Sequence, residues 1–263
     1  MTWAEVPPPP APRLGPRDWL RVARRAGPMA LLVFGGLAVL LACRPFEALL
    51  HGAHRPWTPR ITRAVCRGAL RLMGLRRTVE GTPRPVAAWV ANHASWLDIF
   101  ALNAGGTIVF VAKSEVARWP GIGWLARATG TVFVTRDRRR ALQDVAALRE
   151  RIALGQTLAF FPEGTSTDGR RVLAFKPTLL APFLGLDAAI QPVTLRYIAP
   201  EGADPACYGW WGDMDFAPHM LATLALPRQG RIALTFHPPV PLAAETDRKA
   251  LARRLEQTVR AGL

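Results

Sequence analysis

An α/β architecture, a mixed sheet flanked by helices with an N-terminal membrane-binding helical segment, is predicted from three features of the chain. Beyond residue 77, short strand-like runs alternate with helix-like stretches. Residues 28–43 are all apolar or glycine and have arginines on both flanks. Finally, Asn92-His93-Ala94-Ser95-Trp96-Leu97-Asp98 falls where an apolar strand hands over to a helix, the usual place for functional groups in such sheets. We expect residues 1–76 to form a disordered N-terminus and a membrane-anchoring helical region, and residues 77–263 to form the catalytic domain.

Taken in order, residues 1–16 are proline-rich and are expected to be disordered or extended. The run 28–43 follows Arg21, Arg24 and Arg25 and precedes Arg44, Arg55, Arg60 and Arg63. At about 16 residues it would rise roughly 24 Å, short of a hydrocarbon core of about 30 Å. With arginine on both sides it lacks the one-sided bias of a spanning helix. A re-entrant or interfacial anchor is therefore preferred, with single-pass spanning as the alternative and an export signal disfavoured by Arg44 after Cys43. Strands are predicted at 77–80, 86–91, 107–112, 132–135, 157–161, 189–197 and 231–236, and helices starting near Ser95, Ile122, Arg139 and Glu245. Leu142, Val145, Leu148 and Ile152 give one helix its apolar stripe; Leu251, Leu255 and Val259 give another. The piece 204–226 resists assignment, and Tyr208, Trp210, Trp211 and Phe216 within it suggest a membrane-proximal insertion.

The chain has 263 residues, half of them hydrophobic, and a formal net charge of +15 from 34 lysines and arginines against 19 acids. That excess suits anionic lipid, nucleic acid or acidic proteins. A membrane surface explains the charge and the apolar run together, and no zinc-finger or RNA-binding signature is present, so no nucleic-acid partner is expected. Cys43, Cys66 and Cys207 form no C-x-x-C pair, and His51 and His54 lack completing ligands, so no metal is expected.

A histidine and a carboxylate five residues apart at a strand-to-helix junction point to general-base chemistry on a hydroxyl: His93 as base, Asp98 as its orienting partner. Ser95-x-x-Asp98 also reads as an acidic capping box, which needs no catalysis. Ser95 opens the helix and is expected to be a cap rather than a nucleophile. Neither Cys66 nor Cys207 sits in a nucleophile setting, so direct attack in a ternary complex is favoured. No G-x-S-x-G elbow is present, which argues against a lipid hydrolase. A basic membrane-surface or nucleic-acid binding module would explain the charge but not the His93–Asp98 spacing.

Asn92-His93-x-Ser95-x-x-Asp98 resembles the first motif of the glycerolipid acyltransferases, the 1-acylglycerol-3-phosphate acyltransferase family. Lys113-x-Glu115, Pro120-Gly121-Ile122-Gly123-Trp124 and Gly130–Arg136 resemble its second motif. Phe161-Pro162-Glu163-Gly164-Thr165-Ser166 and Gln191-Pro192-Val193-Thr194 resemble the third and fourth. The resemblance covers roughly residues 77 to 240. It implies acceptor binding by Arg136, Glu163, Gly164 and Thr165, with Lys113 adding positive potential. It implies an acyl thioester of acyl carrier protein or coenzyme A as co-substrate, a lysolipid acceptor and no cofactor. It also implies contact with membrane lipids at the cytoplasmic face of a bacterial inner membrane, anchored by residues 28–43. Where many lysophosphatidate-acylating members continue the third motif with arginine, this chain has Ser166-Thr167-Asp168-Gly169. That continuation, and Tyr208-Gly209-Trp210-Trp211-Gly212-Asp213, look more like the branch that acylates lyso-ornithine lipid. The expected activity is thus O-acylation of lyso-ornithine lipid, the alternative being 1-acylglycerol-3-phosphate acylation to phosphatidate.

Overall fold

The computed structural model describes residues 3–135, 139 and 141–263. Helix α1 (Pro16–His51) runs unbroken for 36 residues. Pro16 fills its first position, and the Gly15 N–H donates to Asp18 Oδ2 at 2.9 Å. The apolar run 28–43 is thus the middle of a helix about 54 Å long. An unbroken helix provides no turn for a re-entrant loop, whereas it suits an interfacial or a spanning anchor alike. α1 is long and apolar enough to cross a membrane by length and composition, with a mean hydropathy of 2.2 in its most apolar window. Leu31, Phe34, Val39, Leu41, Leu49 and Leu50 project outward from it.

α2 (Thr58–Met73) folds back along α1. Its first turn is capped by Glu47, whose carboxylate accepts from the backbone of Trp57 and Thr58 and from the Thr58 hydroxyl. The two helices approach through glycines. A Cβ on Gly36 would lie 2.3 Å from Val65 Cγ2, and one on Gly68 would lie 2.6 Å from Leu32 Cδ2.

The remaining elements are β1 (Arg76–Glu80), β2 (Ala88–Ala91), α3 (Leu97–Gly105), β3 (Ile108–Lys113), α4 (Ile122–Thr129), β4 (Val132–Val134), α5 (Ala141–Ala153) and β5 (Thr157–Phe160). They continue with β6 (Ala189–Ile198), α6 (Phe216–Ala225), β7 (Arg231–Phe236), β8 (Val240–Pro241) and α7 (Arg248–Ala261). The sheet order is β1-β7-β6-β2-β5-β3-β4, with β8 also pairing β6. β6, β2, β5, β3 and β4 are mutually parallel, whereas β7 and β8 run antiparallel to β6. Mixed pairing and two helical layers are the expected architecture. Period-2 alternation sorts the central strand: Trp89 and Ala91 join the core with α1, α2, α3 and α6, while Ala88 and Val90 join the core with α5 and α7.

α2 is tied to the far end of α3. Arg67 Nε donates to Ala104 O at 2.8 Å and Arg63 Nη2 to Gly105 O at 3.2 Å, cations meeting the negative end of a helix.

All seven predicted strands form, with ends shifted by no more than two residues. Several expectations need correction. Leu142 is exposed, so the buried stripe of α5 runs through Leu148 and Ile152 instead. The helix expected from Glu245 starts at Arg248, because Asp247 caps it by accepting the Lys249 N–H at 2.7 Å. The unassigned piece contains α6, which has no charged residue to mark a polar face. Its Tyr208 and Trp211 are buried in the protein rather than offered to a membrane. Among the described residues, 3–14 have no helix or strand, but Trp3 is buried and Val6 accepts a hydrogen bond from the Trp211 indole.

The glycine contact between α1 and α2 yields a test. Gly36→Leu should lower stability, because the stiff, β-branched Val65 cannot rotate away and overpacking costs about 1–3 kcal/mol. Gly36→Leu with Val65→Ala should recover most of the loss. Thermal melts in detergent read both, and an unchanged Tm in the single variant would contradict the close crossing.

Candidate active site

Four parallel strands, β6, β2, β5 and β3, deliver their C-terminal ends to one edge of the sheet, and the three strongest sequence motifs meet there. His93 lies two residues beyond β2, and Phe161–Thr165 follow β5. His93 Nδ1 is 2.7 Å from Asp98 Oδ2; the imidazole keeps 19% of its surface exposed while the Asp98 side chain has none. The backbone N–H groups of Ala94 and Ser95 donate to the same oxygen at 2.8 and 3.0 Å. The Tyr197 hydroxyl donates to Oδ1 at 2.6 Å. Desolvation of the phenol, then the neighbouring carboxylate, pushes Tyr197 well above its ordinary range, so it stays protonated and donates. Asp98 therefore orients the imidazole and closes the start of α3 at once. The capping and the histidine-orienting readings describe one carboxylate.

The backbone around His93 is held from three sides. Asn92 exchanges two hydrogen bonds with the Leu195 backbone, at 2.9 and 2.8 Å, extending the β2–β6 pairing past the end of β2. The His93 N–H donates to Glu163 Oε1 at 2.6 Å, and His93 O accepts the Thr167 N–H at 2.9 Å. Phe161 stacks on the imidazole, with ring centres 4.0 Å apart and planes within 8°.

Expected at the acceptor headgroup, Glu163 instead points inward. Its side chain is buried, and its second oxygen accepts the Leu173 N–H at 2.7 Å. Burial pushes its carboxyl up to about 8, against the two backbone donors that lower it. Gly164 has φ +70°, a conformation suited to glycine, and a Cβ there would lie 2.5 Å from Lys176 Nζ. Lys113 donates to Gly164 O, so Lys113 and Lys176 both reach this turn. Thr165 is half-buried, its hydroxyl accepting the Trp3 N–H at 3.3 Å. Ser95 is fully buried, its oxygen accepting the Leu97 N–H. Pro162 accepts the Lys176 N–H, and Pro192 is buried in β6. Arg136 lies outside the described residues. Sequence reasoning missed Tyr197, Lys176 and the stacking role of Phe161. Phe161 lies inside the third motif without any sign of what it packs on, Tyr197 reaches the site along β6, and Lys176 reaches it through a loop folded back on Pro162 and Gly164.

The two segments singled out as unlike the lysophosphatidate pattern meet in space. The backbone of Asp168 approaches Gly209 so closely that a Cβ on Gly209 would come within 2.8 Å of Asp168 O. The Trp210 N–H donates to Ala94 O at 2.7 Å, and Tyr208 packs against Tyr197 with ring centres 5.4 Å apart.

Comparison with known proteins agrees with this geometry. Residues 77–196 match the model of the Acyltransferase family. The chain is 53% identical to the lyso-ornithine lipid O-acyltransferase of Rhodobacter capsulatus, over 98% of this chain and 95% of that one. It is 32% identical to the 1-acyl-sn-glycerol-3-phosphate acyltransferase of Neisseria gonorrhoeae, over 75% of this chain and 78% of that one. The crystal structure of the 1-acyl-sn-glycerophosphate acyltransferase from Thermotoga maritima shares its fold, with a TM-score of 0.67 at 23% identity over 94% of both chains. A histidine–aspartate pair at the C-terminal edge of the sheet, the motifs around it and full-length relatives thus converge, and the chain belongs to the acyltransferase family.

Proposed function

We propose that the protein transfers a fatty acyl group from an acyl thioester to the hydroxyl of lyso-ornithine lipid, giving ornithine lipid, with His93 as general base. The observation that carries the chemistry is the His93–Asp98 contact. A carboxylate can only accept from Nδ1, so Nδ1 bears the proton and Nε2 is left to act as a base. Nε2 takes the acceptor hydroxyl proton as its oxygen attacks the thioester carbonyl. The tetrahedral intermediate then expels the thiolate, which recovers that proton from the imidazolium. Phe161, lying flat on the ring, fixes its plane. Glu163 acts through His93, holding its backbone, while Lys113 and Lys176 supply positive potential at Gly164. Acyl carrier protein or coenzyme A carries the donor acyl group, and α1 holds the enzyme at the cytoplasmic face of a bacterial inner membrane.

Lyso-ornithine lipid is favoured over lysophosphatidate by the full-length relatives named for it, including one from Brucella abortus at 38% identity over 88% of this chain. The Ser166-Thr167-Asp168-Gly169 continuation against the Tyr208–Asp213 segment supports the same choice. Acylation of 1-acylglycerol-3-phosphate remains the second reading, supported by the Neisseria relative.

His93→Ala should lower kcat with lyso-ornithine lipid by about 10²–10⁴ while leaving Tm near wild type. Asp98→Asn should lower it less. Wild-type rates in His93→Ala would remove the mechanism.

Glu163 gives a pH signature in stability. With a folded-state value of about 8, its contribution is complete below the ordinary carboxylate range and is lost as pH rises through about 8. The Tm of wild type should therefore fall between about pH 5 and pH 9 more steeply than that of Glu163→Gln. Parallel profiles would mean that Glu163 titrates alike in the folded and unfolded chains.

Ser166→Arg tests the acceptor. A guanidinium beside Thr165 gains a charge-assisted hydrogen bond of about 1.5–3 kcal/mol with a phosphate and repels an ornithine amine. The ratio of kcat/KM for lysophosphatidate over lyso-ornithine lipid, measured with one donor, should rise at least about tenfold. No change would place residue 166 away from the headgroup.

A further inference from the structure

Residues 3–8 lie across the two segments that depart from the lysophosphatidate pattern. The Trp3 N–H donates to Thr165 Oγ1 at 3.3 Å, and the Trp3 ring sits 4.8 Å from the Arg171 guanidinium carbon. Trp3 and Trp211 pack with ring centres 6.4 Å apart, the Trp211 indole N–H donates to Val6 O at 2.8 Å, and Pro8 lies against Gly212. Burial of Trp3, at 6% exposure, docks the proline-rich segment onto these loops. Moreover, the Trp3 indole N–H is buried with no acceptor among the described residues. A buried donor without an acceptor is uncommon and calls for an explanation.

Arg171 adds the second half of the argument. Its Nε and Nη2 donate to the two Asp168 oxygens at 3.2 and 2.9 Å, while 39% of its side chain stays exposed. Asp168 holds one edge of the planar guanidinium, and Trp3 covers a face. Asp168 also cancels the net charge of Arg171, so the pair presents a dipole rather than an excess cation. A dianionic phosphate gains little from such a pair. A single headgroup carboxylate matches the exposed part of Arg171.

We propose that Trp3 and Arg171, with Thr165 beside them, form the subsite for the headgroup carboxylate of the acceptor, and that residues 3–8 close over it. The carboxylate would accept from the orphan indole N–H and from the free edge of Arg171, whose other edge the buried Asp168 holds in place. The site is one loop from the imidazole, because the Thr167 N–H is bonded to His93 O. This inference rests on the reading that the acceptor is an amino-acid lysolipid.

The test pairs a protein change with a substrate change. Trp3→Phe keeps an aromatic ring but removes the N–H together with the five-membered half of the indole, so the comparison between acceptors, not the size of one effect, isolates the N–H. Arg171→Gln removes the charge and most of the fork. The substrate change is the methyl ester of lyso-ornithine lipid, which lacks the carboxylate but requires no mutation. Against one acyl donor, Trp3→Phe should raise KM for lyso-ornithine lipid about tenfold with little change in kcat, and should barely alter KM for lysophosphatidate. The methyl ester should show a similar rise on wild type, and the variant should add little to it, since both remove the same interaction. Equal KM rises for both acceptors, or full additivity of variant and ester, would overturn carboxylate recognition. So would unchanged constants in both variants while wild type still acylates lyso-ornithine lipid. Wild type that acylates only lysophosphatidate would instead overturn the proposed acceptor itself.

Discussion

A carboxylate withdrawn from water is tolerated only where donors replace the lost solvent. Asp98 has four: the imidazole, two backbone amides and a phenol. Meeting that requirement dictates the surrounding structure. The chain leaving β2 must curl so that the N–H groups of Ala94 and Ser95 face back toward the first turn of α3. β6 must run on past its pairing with Ala91 to present Tyr197. The imidazole must turn its Nδ1 inward, which leaves Nε2 as the nitrogen available to a substrate. Asn92, bonded to Leu195 of β6, and Glu163, from the end of β5, then fix the backbone that makes this arrangement possible.

Much of this is legible in the sequence, and the parts that are not share a reason. The strands are readable because buried β-branched and aromatic runs bounded by turns leave little choice of structure. His93 and Asp98 are readable because their spacing is local. Tyr197 completes the same carboxylate from 99 residues away, and nothing near position 197 separates it from any other strand tyrosine. α6 escaped because its apolar residues surround the helix and no polar face marks a period. Leu142 was misassigned because spacing identifies a stripe but not where along the helix the sheet contact begins. For Glu163 the chemical type was legible, whereas the direction it faces is a property of the folded turn.

The acceptor reading draws strength from how the segments associate. Ser166–Gly169 and Tyr208–Asp213 are about forty residues apart, yet they touch backbone to backbone at Asp168 and Gly209. The same loop bonds to His93 through Thr167, and the same aromatic segment bonds to Ala94 through Trp210. Residues to which the acceptor proposal assigns the choice of lysolipid are thereby built into the walls that hold the imidazole. Changes in headgroup preference and changes in the placement of the imidazole are mechanically linked in such a site.

The arginine clamp between α2 and α3 bears on a different question, that of depth. Arg63 and Arg67 fasten the C-terminal end of the helix whose first turn carries Asp98, and α2 is in turn locked to α1 through paired glycines. The apolar helix is thus linked to the imidazole through packed helices and not only through the chain between them. With α1 seated in a bilayer, the reactive nitrogen is carried at a set height above the acyl chains, like a stylus on a rigid arm. Lysolipids whose hydroxyl lies at that height come within reach by lateral diffusion alone. One whose hydroxyl sits higher or lower must first shift along the bilayer normal, at a cost in exposed methylenes.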